Sequence, residues 1–118
     1  MDTDKAIADT LVFLDFELTL ARRQLLRNGQ PVAIGGRALE LLALLAARSG
    51  EVVGRRMLIE RIWPNMIVEE VNLRVQISAL RKLLGNDARH AQHAYIVNHA
   101  GRGYCFTAPV TPLPAITP

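Results

Sequence analysis

Between Glu69 and Leu84 the chain gathers side chains that make directed polar contacts. They are the amides of Asn72 and Gln76, the hydroxyl of Ser78, the guanidinium groups of Arg74 and Arg81, and the ammonium of Lys82. An amide presents a donor and an acceptor side by side, whereas the cations present donors alone. From Val71 to Leu84 there is no acid among them. Such a set suits an extended polyanion with flat polar edges. Cations hold phosphate, and amides pair bidentately with the edge of a base. An ordinary solvated helix more often pairs Glu with Lys along its face.

The other reactive residue types form weaker constellations. His90 and His93 stand three residues apart, and His99 and Cys105 follow, but without a paired-cysteine motif or a shared element they do not make a zinc site. Ser49 and Ser78 have no His and acid arranged around them, so nucleophilic catalysis has no support. Gly101-Arg102-Gly103 lacks the third glycine and following helix of a phosphate-binding loop and reads as a hairpin turn. Trp63 and Tyr104 read as anchors of the core and hairpin, and Cys105 as a strand residue. We expect no catalytic residue, no metal and no cofactor.

The polar set needs a helix to hold it. Leu73, Ile77, Leu80 and Leu84 fall on one stripe at about 100° per residue, the seam of a helix over about 69–84. Gly85 stands just past its end, where a left-handed turn commonly stops a helix. Opposite the seam lie Asn72, Val75, Ser78, Ala79 and Lys82, with Gln76 on one flank and Arg74 and Arg81 on the other.

Upstream, residues 1–10 read as a flexible leader. Leu11 to Leu18 alternates as one half-buried strand, with Val12, Leu14, Phe16 and Leu18 on one side. Ala21 to Arg27 and Pro31 to Ile34 read as two strands joined by the hairpin signal Asn28-Gly29. Arg37 to Arg48 is a Leu- and Ala-rich helix, apolar around most of its circumference. Val52-Val53 is a short strand. Arg55 to Trp63 is a helix behind Gly54, turning Leu58, Ile59 and Ile62 inward. A connection of about five residues to the next helix implies a steep crossing, a helix-turn-helix. Downstream, a polar loop, a strand at Tyr95 to Val97, a turn at Asn98 to Gly103 and a strand at Tyr104 to Thr107 form a hairpin. Residues 109–118 hold four prolines in ten and read as a linker or tail unable to continue a sheet.

Composition agrees with one domain over residues 11–108. Half of the 118 residues are hydrophobic, 21% are charged, and no stretch is long and apolar enough for a membrane span. We expect no membrane contact in this segment. The N-terminus lacks the features of a secretory signal, and one cysteine cannot make an internal disulfide; both suit the cytoplasm. Net charge is +3, unevenly spread. Residues 1–20 carry five acids against Lys5, whereas residues 71–106 carry Arg74, Arg81, Lys82, Arg89 and Arg102 against Asp87 alone. The positive field therefore surrounds the polar helix.

The order of strands, three helices and hairpin resembles the winged helix-turn-helix of the OmpR/PhoB type, an α+β fold with an N-terminal antiparallel sheet and a C-terminal wing. The resemblance rests on Gly50-Glu51-Val52-Val53, Ile62-Trp63-Pro64, Leu80-Arg81-Lys82 and Gly101-Arg102-Gly103-Tyr104-Cys105-Phe106, in that order, and covers Leu11 to Pro109. It is nearest to the variety placed at the N-terminus of larger bacterial regulators, ahead of ATPase, repeat or membrane-sensor regions. It implies sequence-specific binding of double-stranded DNA for transcription regulation. Asn72, Val75, Gln76 and Ala79 match positions that meet bases, and Arg74, Ser78, Arg81 and Lys82 match positions that reach bases or phosphates. Arg102 matches the tip of the wing, residues 98–104, laid at the minor groove. Met66, Ile67, Val68, Glu69 and Glu70 match a loop that family members can use to touch RNA polymerase. A downstream sensor or ATPase region is the other implied partner.

The sequence departs from the family in places. Ala100 and Cys105 stand where many relatives carry Arg, implying a weaker wing. Ala79 replaces a common Arg, leaving Asn72 and Gln76 as the main hydrogen-bonding readers. Ala38 and Met57 replace acids that support helix starts, at about 1 kcal/mol each. No receiver domain with its aspartate pocket is expected in this chain. The alternative is a winged helix used as a protein–protein interaction module. Such a face more commonly exposes Leu, Met or aromatic side chains.

Overall fold

The computed structural model describes residues 8–85 and 95–114. The chain opens with four antiparallel strands, β1 (Ala8–Phe13), β2 (Phe16–Thr19), β3 (Gln24–Arg27) and β4 (Gln30–Pro31). Helix α1 (Gly36–Ala47), the short strand β5 (Val52–Val53), helix α2 (Arg55–Ile62) and helix α3 (Glu70–Gly85) follow. Strands β6 (Ile96–His99) and β7 (Gly103–Phe106) form the wing, and β8 (Thr111–Pro114) closes the described chain. One sheet runs β4-β3-β2-β1-β8 and the other β5-β7-β6.

The expected single strand over Leu11 to Leu18 is instead two strands around a tight turn. Phe13 pairs directly with Phe16, and Leu14 takes a left-handed φ of 53°. The turn inserts two residues and resets the alternation. Leu11, Phe13, Phe16 and Leu18 are buried, while Leu14 is exposed. The two phenyl rings stack at 5.8 Å, and Phe106 of the wing meets Phe13 edge-on at 5.2 Å. Aromatic burial thus outweighs the cost of a non-glycine residue at positive φ.

The Asn28-Gly29 hairpin forms as expected, with φ of 51° and 82° and Arg27 opposite Gln30. Its strands are shorter than expected: β3 begins at Gln24 and β4 ends at Pro31. At both ends of the domain the sequence boundaries shift. Ala8 to Thr10 belong to β1, so the leader expectation fails over those residues; residues 1–7 lie outside the described residues. Thr111–Pro114 pairs antiparallel with β1, Leu11 facing Pro112, so the expectation that the proline-rich tail cannot join a sheet is corrected. Proline lacks an N–H donor, but an edge strand needs donors on one side only.

Both sheets and all three helices share one core. Leu41, Leu42 and Leu45 of α1 are fully buried, with Leu58 of α2, Leu73 and Leu80 of α3 and Phe106 of β7 beside them. Helix α1 has Gly35 at its N-cap, with no side-chain cap and no acid in its first turn, as its sequence implied. The Arg37 guanidinium lies over the Trp63 ring at 5.4 Å, joining the start of α1 to the end of α2. Among the described residues no helix is long and apolar enough to cross a membrane.

Candidate nucleic-acid interface

Helix α3 is fixed by its seam. Leu73, Ile77, Leu80 and Leu84 are all buried, at 0, 1, 0 and 6% exposure. It begins at Glu70 and runs through Gly85, one residue later at each end than expected. The connection from α2 runs from Trp63 to Glu69 and is longer than the sequence suggested. At its end the Asn72 N–H donates to the Glu69 carbonyl at 3.0 Å.

The face opposite the seam is open. Asn72, Arg74, Val75, Ser78, Ala79 and Lys82 are exposed, and Gln76 is half-buried at the flank. Arg102 is exposed at the wing tip, where its N–H donates to the His99 carbonyl at 2.8 Å. Gly101, with φ of 75°, makes that turn.

Arg81 stands apart from this set. Its Nε and Nη2 donate to the Ile96 carbonyl at 3.1 and 2.9 Å, and its guanidinium lies 6.0 Å from the Tyr104 ring centre. Arg81 therefore clamps α3 to the base of the wing. Cys105 is a strand residue of β7, as its sequence context suggested. It is buried, between Val52 and Val97 in the sheet, and points no group outward. Ala100 is exposed at the turn.

A second clamp was not legible in the sequence. Arg55, the first residue of α2, holds three elements together. Its Nη2 donates to Asn98 Oδ1 at 2.6 Å, and its guanidinium covers the Tyr104 ring at 5.3 Å. Its Nε lies 2.9 Å from Glu70 Oε2, an ion pair out of line for a hydrogen bond. Tyr104, buried and flanked by both arginines, is the post on which wing and helix are aligned. It anchors the hairpin, as its sequence context suggested. Nothing local in the sequence marks Arg55, because its partners lie 15, 43 and 49 positions away.

The hub yields a measurable expectation. Arg55→Ala removes a hydrogen bond, a partly exposed ion pair and a cation–π contact, together worth about 1–2 kcal/mol. The melting temperature should fall by roughly 5–10 °C. Arg55→Lys keeps the charge but loses the planar fork, so it should recover only part of the loss. An unchanged melt for Arg55→Ala would show that the hub does not hold the wing.

The loop Met66 to Glu69 leads into α3. Ile67 is fully exposed and Met66 is 55% exposed, whereas Val68 is half-buried. Glu70 is engaged by Arg55. The histidines His90 and His93 lie outside the described residues. Among the described residues, no cluster of three His, Cys, Asp or Glu side chains could hold a metal ion.

A helix-turn-helix whose second helix bares amides, small side chains and cations, with no acid between Val71 and Leu84, and a β-hairpin tipped by Arg102, define a winged helix-turn-helix domain. Residues 29–106 match the family described as transcriptional regulatory protein, C terminal, and the chain belongs to that family. The family is one of transcription-regulator DNA-binding domains, not of enzymes. The chain is 35% identical to the transcriptional regulator HilA of Salmonella typhimurium over 84% of its length, covering 17% of HilA. It is 36% identical to the transcriptional activator CadC of Escherichia coli over 79% of its length, covering 18% of CadC. The DNA-binding domain of E. coli CadC superposes with a TM-score of 0.76 at 31% identity, over 88% of this chain and 96% of that one. The Klebsiella pneumoniae RstA DNA-binding domain, solved in complex with the RstA box, superposes at 0.67 and 26% identity, over 83% and 96%. This chain thus spans less than a fifth of HilA or CadC.

Proposed function

We propose that α3 enters the major groove of double-stranded DNA, with Asn72, Val75, Gln76 and Ala79 at base edges. Arg74, Ser78 and Lys82 then lie at phosphates or the outer bases, and Arg102 lies at the adjoining minor groove. One observation carries this reading: the exposed face of α3 bears amides, small side chains and cations, and no acid between Val71 and Leu84. Arg81 serves by aligning the wing instead of by touching DNA. The RstA domain, solved in complex with the RstA box, supports DNA binding by this fold. The role is binding, without catalysis, in the cytoplasm.

Exposed Met66 and Ile67 support a protein contact at the loop Met66 to Glu70, with RNA polymerase as its partner. The low coverage of HilA and CadC supports a larger regulator, with a sensor or ATPase region beyond this segment. Use of the whole domain as a protein-binding module is the competing reading, and the DNA experiments separate the two.

Gln76→Ala should relax base preference, costing about 1–3 kcal/mol on a cognate site and little on a mutated one. Lys82→Ala should weaken both sites alike, because a phosphate contact carries no sequence information. Titrating each variant on a selected duplex and a scrambled one tests the assignment. Equal losses on both duplexes for Gln76→Ala would move Gln76 to the phosphates.

Arg102→Ala should leave the melt unchanged and weaken binding more on sites with A/T-rich flanks. A narrow A/T-rich minor groove concentrates negative potential and attracts Arg. Two duplexes differing only in flank composition provide the comparison. Equal affinity of variant and parent on both would leave the wing as a structural cap.

A further inference from the structure

Val71, Val75 and Ala79 recur every four residues along α3, one above another at steps of about 6 Å. Val71 is 47% exposed and Val75 is 58% exposed, and Ala79 is exposed beside them. They form an apolar midline on the open face, and the groove along it is edged by Arg74, Ser78 and Lys82. Asn72 and Gln76 flank the other side. Nothing in the described fold covers this line.

We propose that this midline reads the 5-methyl groups of thymines. The inference rests on the DNA reading above and names the bases recognised. In the major groove, thymine alone among the bases offers an apolar methyl group. The flanking amides suit adenine, which presents an acceptor and a donor side by side. Valines in the middle and amides alongside are therefore complementary to A·T pairs, with thymine methyls against Val71 and Val75. The cations at the edge and the missing acids favour a polyanion over an apolar protein surface. The midline spans about 12 Å, enough for three to four base-pair steps of about 3.4 Å. The site read by α3 should thus contain at least two thymines within that run.

The test begins with duplexes selected from random sequence by the domain. Each thymine in the selected site is then replaced singly by deoxyuridine, which keeps the hydrogen-bonding edge and removes the methyl. At one or two positions affinity should fall about three- to fivefold, the effect of exposing one apolar carbon. Val75→Ala should weaken the thymine site and reduce the thymine-to-uridine ratio at its own position to near one. Its melt should match the parent, because Val75 is largely exposed. Uridine at every position without effect, or an unchanged ratio in Val75→Ala at every sensitive position, would overturn the inference while leaving DNA binding intact. Failure to enrich or bind any duplex would instead overturn the DNA reading, and this inference with it.

Discussion

Gly103→Ala should unfold the wing and cost the domain roughly 3 kcal/mol or more. Gly103 has φ of 148°, a region that L side chains rarely adopt. A Cβ there would lie 2.0 Å from the Val53 carbonyl oxygen, 2.7 Å from its carbon and 2.9 Å from the Gly54 Cα. All three are backbone atoms, so no side-chain rotation relieves the overlap. Either β7 separates from β5 or the turn between β5 and α2 moves. Both outcomes displace Tyr104 from Arg55 and Arg81, so the loss spreads from the wing to the start of α2 and to α3. DNA binding should fall with the fold. Gly101 supplies the contrast: it has φ of 75° but open space where a Cβ would go. Gly101→Ala should cost about 1 kcal/mol. Urea melts of the two variants beside the parent check the prediction. Equal, small losses would mean that the β5–β7 approach is softer than the geometry requires.

The contrast between those glycines shows what a sequence can and cannot carry. Gly101-Arg102-Gly103 reads as a turn from its composition, and it is one. That the second glycine answers to Val53, fifty residues earlier in the chain, depends on the pairing of β5 with β7. The helices were legible because their seams are periodic: Leu73, Ile77, Leu80 and Leu84 are buried as their spacing requires. Asn28-Gly29 was legible because both residues tolerate positive φ. Leu14-Asp15 was not, because Leu rarely takes the left-handed conformation that Leu14 adopts, and one Asp inside an alternating apolar run is a weak turn signal; Phe13 and Phe16 stack beside the turn. Asp15 adds to it by accepting from Arg27 Nε at 3.0 Å. The strand at Thr111–Pro114 was hidden by its prolines, since composition does not reveal which strand ends at a sheet edge.

The site divides the same way. Exposure of Asn72, Val75, Ser78, Ala79 and Lys82 follows from helix geometry alone and was readable. Val71 belongs to the same face, four residues before Val75, and that spacing could have found it. The role of Arg81 was not readable. Its charge and position suit a phosphate contact, and only the nearness of the Ile96 carbonyl shows it to be a clamp. The same holds for Arg55 and Asn98, which meet across 43 positions.

As proposed, this surface binds duplex DNA through phosphates and base edges together. Its largest expected effect is the dependence on salt. With Arg81 committed to the wing, Arg74, Lys82 and Arg102 are the cations of the proposed face, and Arg56 in the first turn of α2 is exposed as well. Roughly four phosphate contacts per domain give a slope of about −3.5 in log K against log salt. Between 50 and 200 mM salt, affinity should then drop about a hundredfold. Charge reversal at Arg74 and Lys82 together should flatten the slope by about two and leave the melt unchanged, since both side chains are exposed. The decisive measurement is therefore a titration of a fluorescent duplex at four salt concentrations, with the parent and the doubly reversed variant. The parent should give a steep line and the variant a shallow one. Parallel lines of equal affinity, or no binding at 50 mM salt, would rule out this mode of binding.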